Sequence, residues 1–310
     1  MDKVRRKVRF SAILALPRVS GSDRRHPWHS GTRGDFDPSD GLLIFMRHLL
    51  TLFSLTAFAL LVSLSASSQS PSQLPFAAGE RLAYEAKIGR FKLSTSVSDL
   101  VFTIDRTPEP NQMLIKSRAE SKGTLVKLFR FSFLQEIESI VDFSQSRVLK
   151  TTKHDVQKKR VRDSVATFDY TARRVSFTET DPNDPRRPPR RIGSEIGSEM
   201  HDLISAIYSM RTLQLKVGSR FEIPLSDSGL VYKVPVRVTA REQIRSVVGR
   251  VWCWRVEPTV FGPGRMIDQK GSMTLWITDD ARRLPVSAEL KTTYGEIEVK
   301  LKTAQFGSTP

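Results

Sequence analysis

The chain has 310 residues, 39% hydrophobic and 26% charged, and its 49 Lys and Arg against 33 Asp and Glu give a formal net charge of +16. The single cysteine, Cys253, excludes an internal disulfide even in an oxidising compartment and reads as a small buried residue. The positive excess favours anionic partners in general, or is simply a solvated basic surface.

Residues 1–45 hold "DKVRRKVRF" and "DRRHPWHSGTRGDFDPSDG", rich in Arg, Gly, Ser and Asp and without apolar periodicity. They read as a disordered leader or as sequence ahead of the true start at Met46. From Met46 the stretch "MRHLLTLFSLTAFALLVSLSASSQS" has the parts of a secretory signal: Arg47, an apolar run, and small residues ending at Ala66-Ser67-Ser68. The run reaches only the lower edge of the roughly 17–25 residues that cross a bilayer, so a cleaved signal over 46–68 is favoured over an uncleaved N-terminal anchor. The expected location is the periplasm. An exported chain meets anionic lipid headgroups, lipoproteins and acidic polysaccharide rather than nucleic acid. Residues 69–310 keep the charge excess, with 39 Lys and Arg against 28 Asp and Glu, and suit a single β-rich domain.

Period-two alternation dominates this region, the pattern of strands with one buried face. In "RLAYEAKIG", Leu82, Tyr84, Ala86 and Ile88 share one face, with Arg81, Glu85 and Lys87 on the other. Further strands are expected near 91–104, 112–120, 135–143, 148–156, 164–170 and 174–179. The cluster "KKRVRD" at 158–163 places Lys158, Arg160 and Arg162 on one of them. "DPNDPRRPPRRIGSE" follows, and its prolines and glycine predict an exposed basic loop over 181–195 carrying Arg186, Arg187, Arg190 and Arg191. Both clusters are candidate contacts for phosphate or acidic sugar, and a solvated surface explains them equally simply.

"EMHDLISAIYSMRTL" breaks the alternation. Met200, Leu203, Ile204, Ile207 and Met210 recur at helical spacing and predict one main helix near 199–213. Strands resume near 219–225, in "VYKVPVRVTA", near 251–257, 272–278 and 284–291, and in "GEIEVKLK". The count is about a dozen, enough for an antiparallel meander to curl. The fold class is mainly β: a single curved antiparallel sheet or an incompletely closed barrel. Trp252 and Trp254 share a strand face and either fill the core or line a pocket with Tyr84 as a companion candidate.

No recognisable catalytic constellation emerges. His154 and His201 are far apart and outside any HExxH spacing, and neither a GxSxG elbow nor a P-loop is present. "GPGRMI" at 262–267 has two glycines of a dinucleotide fingerprint but no strand-to-helix unit around it. No metal, cofactor or catalytic residue is therefore expected.

Four blocks in order, "LPFAAGERLAYEAKIG", "HDLISAIYSMR", "VTAREQI" and "GSMTLWITDDARRLPVSAELKTTYGEIEVKL", resemble the bacterial domain of unknown function 3108, an exported envelope family. The block from Trp276 to Pro285 also looks like the last hairpin of the periplasmic lipoprotein carriers of the LolA/LolB type. That likeness implies a curved, incompletely closed barrel with helix in its mouth and an apolar cavity for acyl chains. Within these blocks Glu80 begins the first strand, Asp202 suits the N-terminal turn of the helix and Arg211 its C-terminal end. Asp279, Asp280 and Arg283, between Trp276 and Pro285, suit a tight charged turn. All of these read as structural. The functional expectation is a non-enzymatic envelope protein that binds a lipid or lipid-bearing molecule. An assembly factor for an outer-membrane or polysaccharide-machinery protein is the alternative, and an enzyme the third.

Overall fold

The computed structural model describes residues 74–307 apart from 91–92, 125–126, 128–129 and 294. The leader and signal segments lie outside the described residues. The alternation is realised as β1 (Arg81–Arg90), β2 (Leu93–Arg106), β3 (Gln112–Ser121), β4 (Phe133–Asp142), β5 (Arg147–Gln157), β6 (Arg160–Asp169), β7 (Arg174–Thr180) and β8 (Arg190–Glu195). After the helix α1 (Leu203–Thr212) come β9 (Arg220–Asp227), β10 (Leu230–Ser246), β11 (Gly249–Pro258), β12 (Gly271–Thr278), β13 (Pro285–Thr292) and β14 (Gly295–Gln305).

These strands form one sheet, running from β8 back to β1 and then from β14 back to β9. The first and last strands pair antiparallel in the middle, and β8 and β9, neighbours in sequence, become the two edges. Register shifts at Ala83/Tyr84, Ala86/Lys87, Ile140/Val141, Val238/Ala240 and Trp276/Ile277 bend the strands and add to their twist. The expected curved, incompletely closed barrel follows.

The edges do not pair, but a short extended segment joins the curl at one end. The Val148 amide donates to the Met200 carbonyl at 2.9 Å, and the Ser226 amide donates to the His201 carbonyl at 2.7 Å. Adjacent residues of an extended chain offer backbone groups to opposite sides, so Met200 and His201 link the start of β5 to β9 by two parallel bridges. Nearby, the Ser228-Gly229 turn between β9 and β10 has positive φ at both residues, as a type I′ hairpin turn requires. A Cβ on Gly229 would stand 2.6 Å from the Phe177 Cβ, and the Ser194 hydroxyl donates to the Gly229 carbonyl at 2.6 Å. Thus β7 and β8 reach the β9–β10 turn without a ladder between them.

Two expectations need correction here. The segment 181–195 is not loop throughout: within it no proline follows Pro189, and Arg190–Glu195 pairs with β7 as β8. The helix is shorter than 199–213, because the backbone groups of Met200 and His201 are taken by β5 and β9 before helical bonds can form.

The chain must cross from one edge of the sheet to the other, and α1 makes the crossing through the interior. Seven of its ten residues are buried, so its apolar surface wraps the helix instead of forming one stripe. Ile204 and Tyr208 pack into a cluster with Ile104, Ile115, Val141, Val148 and Phe168, while Ala206 and Met210 join Ile223, Val236, Val256 and Leu275. A third cluster unites Leu82, Tyr84, Leu284, Val286 and Leu301 with Cys253, and Ile244, Val248 and Val251 of the long β10–β11 hairpin pack against it.

Buried polar groups fix both ends of α1. At the N-terminus the Asp202 carboxylate accepts from the Ile204 and Ser205 amides at 3.1 and 2.8 Å, and the Ser205 hydroxyl accepts from the Asp202 amide. The same carboxylate accepts from the Ser139 and Thr151 hydroxyls, which ties this cap to β4 and β5. A cap of this kind contributes about 1 kcal/mol before those cross-links are counted. At the C-terminus Arg211, with its side chain fully buried, donates from Nη1 and Nη2 to the two Glu80 carboxylate oxygens at 2.6 and 2.8 Å. Nη2 also reaches the Pro75 and Arg282 carbonyls at 3.1 and 3.0 Å. The guanidinium lies over Phe76 and Tyr208, 4.8 and 5.1 Å from their ring centroids.

Two stability measurements check these assignments. Removing one member of a buried ion pair strands the other charge, so Glu80→Gln or Arg211→Met is expected to cost about 3–5 kcal/mol in urea unfolding. Glu80→Leu with Arg211→Met should recover part of that loss and not all, because the Pro75 and Arg282 carbonyls still lack their donor. Fully additive losses would show that the two residues do not act as a pair. The second test concerns His201, which is 3% exposed and has no partner for Nδ1. Burial lowers its pKa from 6.5 to about 4, with the Asp202 charge opposing. The folded form holds the neutral ring, so the unfolded chain binds the extra proton between these values. Stability is therefore retained above about pH 6.5 and lost as pH falls toward 4, by on the order of 2–3 kcal/mol. His201→Gln should flatten that part of the curve, and an unchanged acid loss would assign it to other groups.

Candidate functional site

Between α1 and the middle of the sheet lies a cavity of about 180 Å³. The ladder explains its floor. Leu82 stands opposite Phe102 and Tyr84 opposite Leu100 across β1 and β2, while Leu275, Ala288 and Val299 stand in line across β12, β13 and β14. Met273 and Leu290, also register partners, extend the same apolar surface. Ile207, Tyr208 and Arg211 of α1 form the opposing wall.

The polar atoms of this cavity are few and unevenly satisfied. Tyr84 donates its hydroxyl to the Pro285 carbonyl at 2.8 Å and meets Phe102 edge-on, with centroids 5.7 Å apart. Arg211 Nε and the Tyr208 hydroxyl are buried without a hydrogen-bond partner. Burial raises the pKa of both tyrosines, and the Glu80 carboxylate adds to the effect while Arg211 opposes it. Glu80 is thus near enough to act on the Tyr208 phenol. Both rings stay neutral at physiological pH.

A larger groove of about 710 Å³ crosses β1 to β7 on the other side of the sheet. Several of its charges are paired, Lys116 with Asp105, Arg118 with Glu120 and Glu136, and His154 Nδ1 with Asp163 Oδ1 at 2.5 Å, and Arg81, Glu138 and Lys153 also line it. The half-exposed setting of these pairs makes each weak. The smaller cavity is the better candidate because its lining is almost wholly apolar and lies between α1 and the middle of the sheet.

Of the aromatic candidates, Tyr84 alone lines the cavity. Trp252 is 45% exposed under the Arg241 guanidinium at 4.5 Å, and Arg241 is held by Asp279 at 2.7 Å. Trp254 packs, partly buried, against the second core cluster, with its Nε1 unpartnered. Trp276 donates to the Glu242 carboxylate. Burial pushes the Cys253 thiol up to about 12, with Asp280, Glu242 and Asp279 adding to it, so the group stays a thiol.

The two basic clusters become one patch. The Asn183 amide donates to the Lys159 carbonyl at 3.2 Å and holds the loop before β8 against the β5–β6 turn. Acids partly neutralise it: Arg162 and Arg187 meet Asp181, and Arg190 approaches Glu179 at 4.0 Å. Lys158, Arg160, Arg186 and Arg191 remain exposed at its rim.

The motif residues gather at the other end. Asp280 Oδ1 accepts from the Thr278 hydroxyl and from the Arg282 and Arg283 amides, and so shapes the β12–β13 turn. That turn supplies the Arg282 carbonyl to Arg211, and Pro285 just after it supplies the acceptor for Tyr84. The sequence reading missed Tyr208, Ile207, Leu100 and Phe102. For Tyr208 a signal existed: it precedes Arg211 by three residues and so shares its side of a helix. Among the described residues no group of three or more His, Cys, Asp or Glu is placed to hold a metal ion, and no helix is long and apolar enough to cross a membrane.

The fold has solved counterparts. A β-barrel-like protein of domain of unknown function DUF1849 from Brucella abortus superposes with a TM-score of 0.53 at 10% identity, covering 74% of this chain and 98% of its own. That likeness concerns the fold alone. A Bacteroides fragilis protein with a YmcC-like fold aligns over 75% of this chain and 98% of its own at 9% identity, but its TM-score of 0.28 carries no weight. No curated protein matches the chain. The family model described as protein of unknown function (DUF3108) matches residues 83–302, from β1 into β14, in agreement with the four sequence blocks, and the chain belongs to that family.

Proposed function

We propose that this is an exported, non-enzymatic envelope protein that takes an acyl chain or similar apolar segment of a lipid into the cavity beside α1. The observation that carries the reading is the apolar cavity itself, lined by β1, β2, β12, β13, β14 and α1. At about 180 Å³ it exceeds the roughly 150 Å³ of an apolar cavity that stays dry and accepts benzene. It is smaller than the roughly 300–1,000 Å³ of sites that enclose drug-sized ligands. A short apolar segment fits, with the remainder of the lipid outside. The signal-like segment at 46–68 supports a periplasmic location, where the acyl groups of lipids and lipoproteins are the available apolar ligands.

An assembly role with a protein partner has one feature in its favour, the unpaired edge of β8. That strand has six residues and begins with two exposed arginines, features that discourage edge-to-edge pairing. It is the weaker reading.

Native mass spectrometry of the exported protein tests the proposal. Wild type is expected to carry a lipid mass or to acquire one when a monoacyl lipid is added. Ala288→Phe, which places a ring in the cavity, should remove that mass and leave the thermal midpoint level or higher. A bare protein that takes up no lipid, or equal uptake by the filled variant, would overturn the reading.

A further inference from the structure

We infer that the β3–β4, β5–β6 and β7–β8 turns form a docking surface for an anionic lipid bilayer. The inference does not require an acyl chain in the cavity, and it goes beyond that reading by assigning the molecule an orientation on a surface.

In an antiparallel meander alternate turns lie at the same end of the strands, so these three are neighbours. Two hydrogen bonds lace them together: the Lys158 amide donates to the Ser132 carbonyl at 3.0 Å, and the Asn183 side chain donates to the Lys159 carbonyl at 3.2 Å. Each turn exposes cations. Lys127 and Arg130 stand in the first, and Lys158 and Lys159 in the second, with Arg160 just after it. Arg186 and Arg187 stand in the third. The segments 123–132, 157–160 and 181–189 thus hold seven cations against two acids, Asp181 and Asp184, an excess of +5. Asp181 is already engaged by Arg162 and Arg187. The turns at the other end of the same strands, 107–111, 143–146 and 170–173, hold one acid and one cation, Glu109 and Arg173, an excess of zero. A charge distribution polarised in this way turns one end of the molecule toward a negative plane.

Apolar side chains among the cations favour a bilayer over a soluble polyanion. Lys158 lies over the Phe131 ring, 5.9 Å from its centroid, and Phe131 stands 6.2 Å from Phe133. Both rings are partly buried, in a cluster with Ile88, Leu100, Ile297 and Val299. Leu100 and Val299 also line the cavity beside α1, so one apolar cluster reaches from the basic turns to the cavity lining. Cations beside aromatic rings match the boundary of a membrane, where phosphate lies above and acyl chain below. An acidic polysaccharide offers the charge with no apolar layer beneath it.

Flotation of the exported protein with vesicles tests the inference. The vesicles are phosphatidylcholine alone, or two parts phosphatidylcholine to one part phosphatidylglycerol. Binding is expected to the mixed vesicles only, and is expected to weaken with salt as exposed charges are screened. Changing one exposed cation in each turn, Lys127→Glu, Lys159→Glu and Arg186→Glu together, should weaken it by at least about tenfold. Arg237→Glu, Arg245→Glu and Arg250→Glu together alter three exposed cations of the β10–β11 hairpin and change the net charge equally, and should leave binding within about threefold of wild type. Absence of binding to mixed vesicles, or equal loss in the two triple variants, would overturn the inference. Binding to heparin without binding to mixed vesicles would overturn it in favour of an acidic polysaccharide. A protein that ignores vesicles yet carries a lipid mass in native mass spectrometry loses the docking surface alone; one that docks yet stays bare keeps the docking surface and loses the acyl site.

Discussion

One buried ion pair holds the arrangement together. Glu80 stands where the chain enters β1 and Arg211 in the last turn of α1, 131 residues later, and their bidentate contact is almost wholly out of water. The further donation of Arg211 to Pro75 and Arg282 joins three segments at one point: the lead into the sheet, the crossing helix and the β12–β13 turn. Measured against well-packed apolar residues of similar volume, such a pair adds little net stability, because both ions lose their hydration. Its effect is positional. Charges this expensive to leave unmatched allow α1 one location and one rotation.

That location is what leaves a cavity. The sheet of fourteen strands curls far enough to need a filling, and a helix buried on most sides supplies most of it. Asp202 anchors the N-terminal end to β4 and β5, Arg211 the C-terminal end to β1 and the β12–β13 turn. Held at both ends, α1 does not settle onto the floor formed by β1, β2 and β12 to β14. The same linkage accounts for the incomplete barrel: the segment that crosses the interior is the one that would otherwise join the edges, and Met200 and His201 substitute two bridges for a ladder.

The blocks that identify the family fit this frame. Glu80, Arg211, Asp280 and Pro285 look unrelated along the chain, a strand start, a helix end and a charged turn, yet each supplies one contact at the same end of the interior. A structural assignment for each one separately is correct and incomplete. Together they set the position of Tyr208 and Arg211 beside the cavity.

The sequence by itself determined whatever depends on near neighbours. Side chains alternate at period two in a strand and recur at 3.6 in a helix, so most of the strands, the helix and its Asp202 cap were legible from local pattern. It also disclosed the charge and the family. Pattern failed where a distant partner took the backbone: Met200 and His201 keep helical spacing but are extended between β5 and β9, and Arg190–Glu195 follows a proline-rich run yet pairs as β8. The tertiary structure alone decided that Glu80 meets Arg211, that the basic clusters at 158–162 and 186–191 share one patch, and that Tyr84 lines the cavity while Trp252 faces solvent. Alternation says that one face of a strand is apolar. Which apolar faces meet an inserted helix, and where a gap is left between them, depends on the curl of the whole sheet and on one ion pair between residues far apart in the chain.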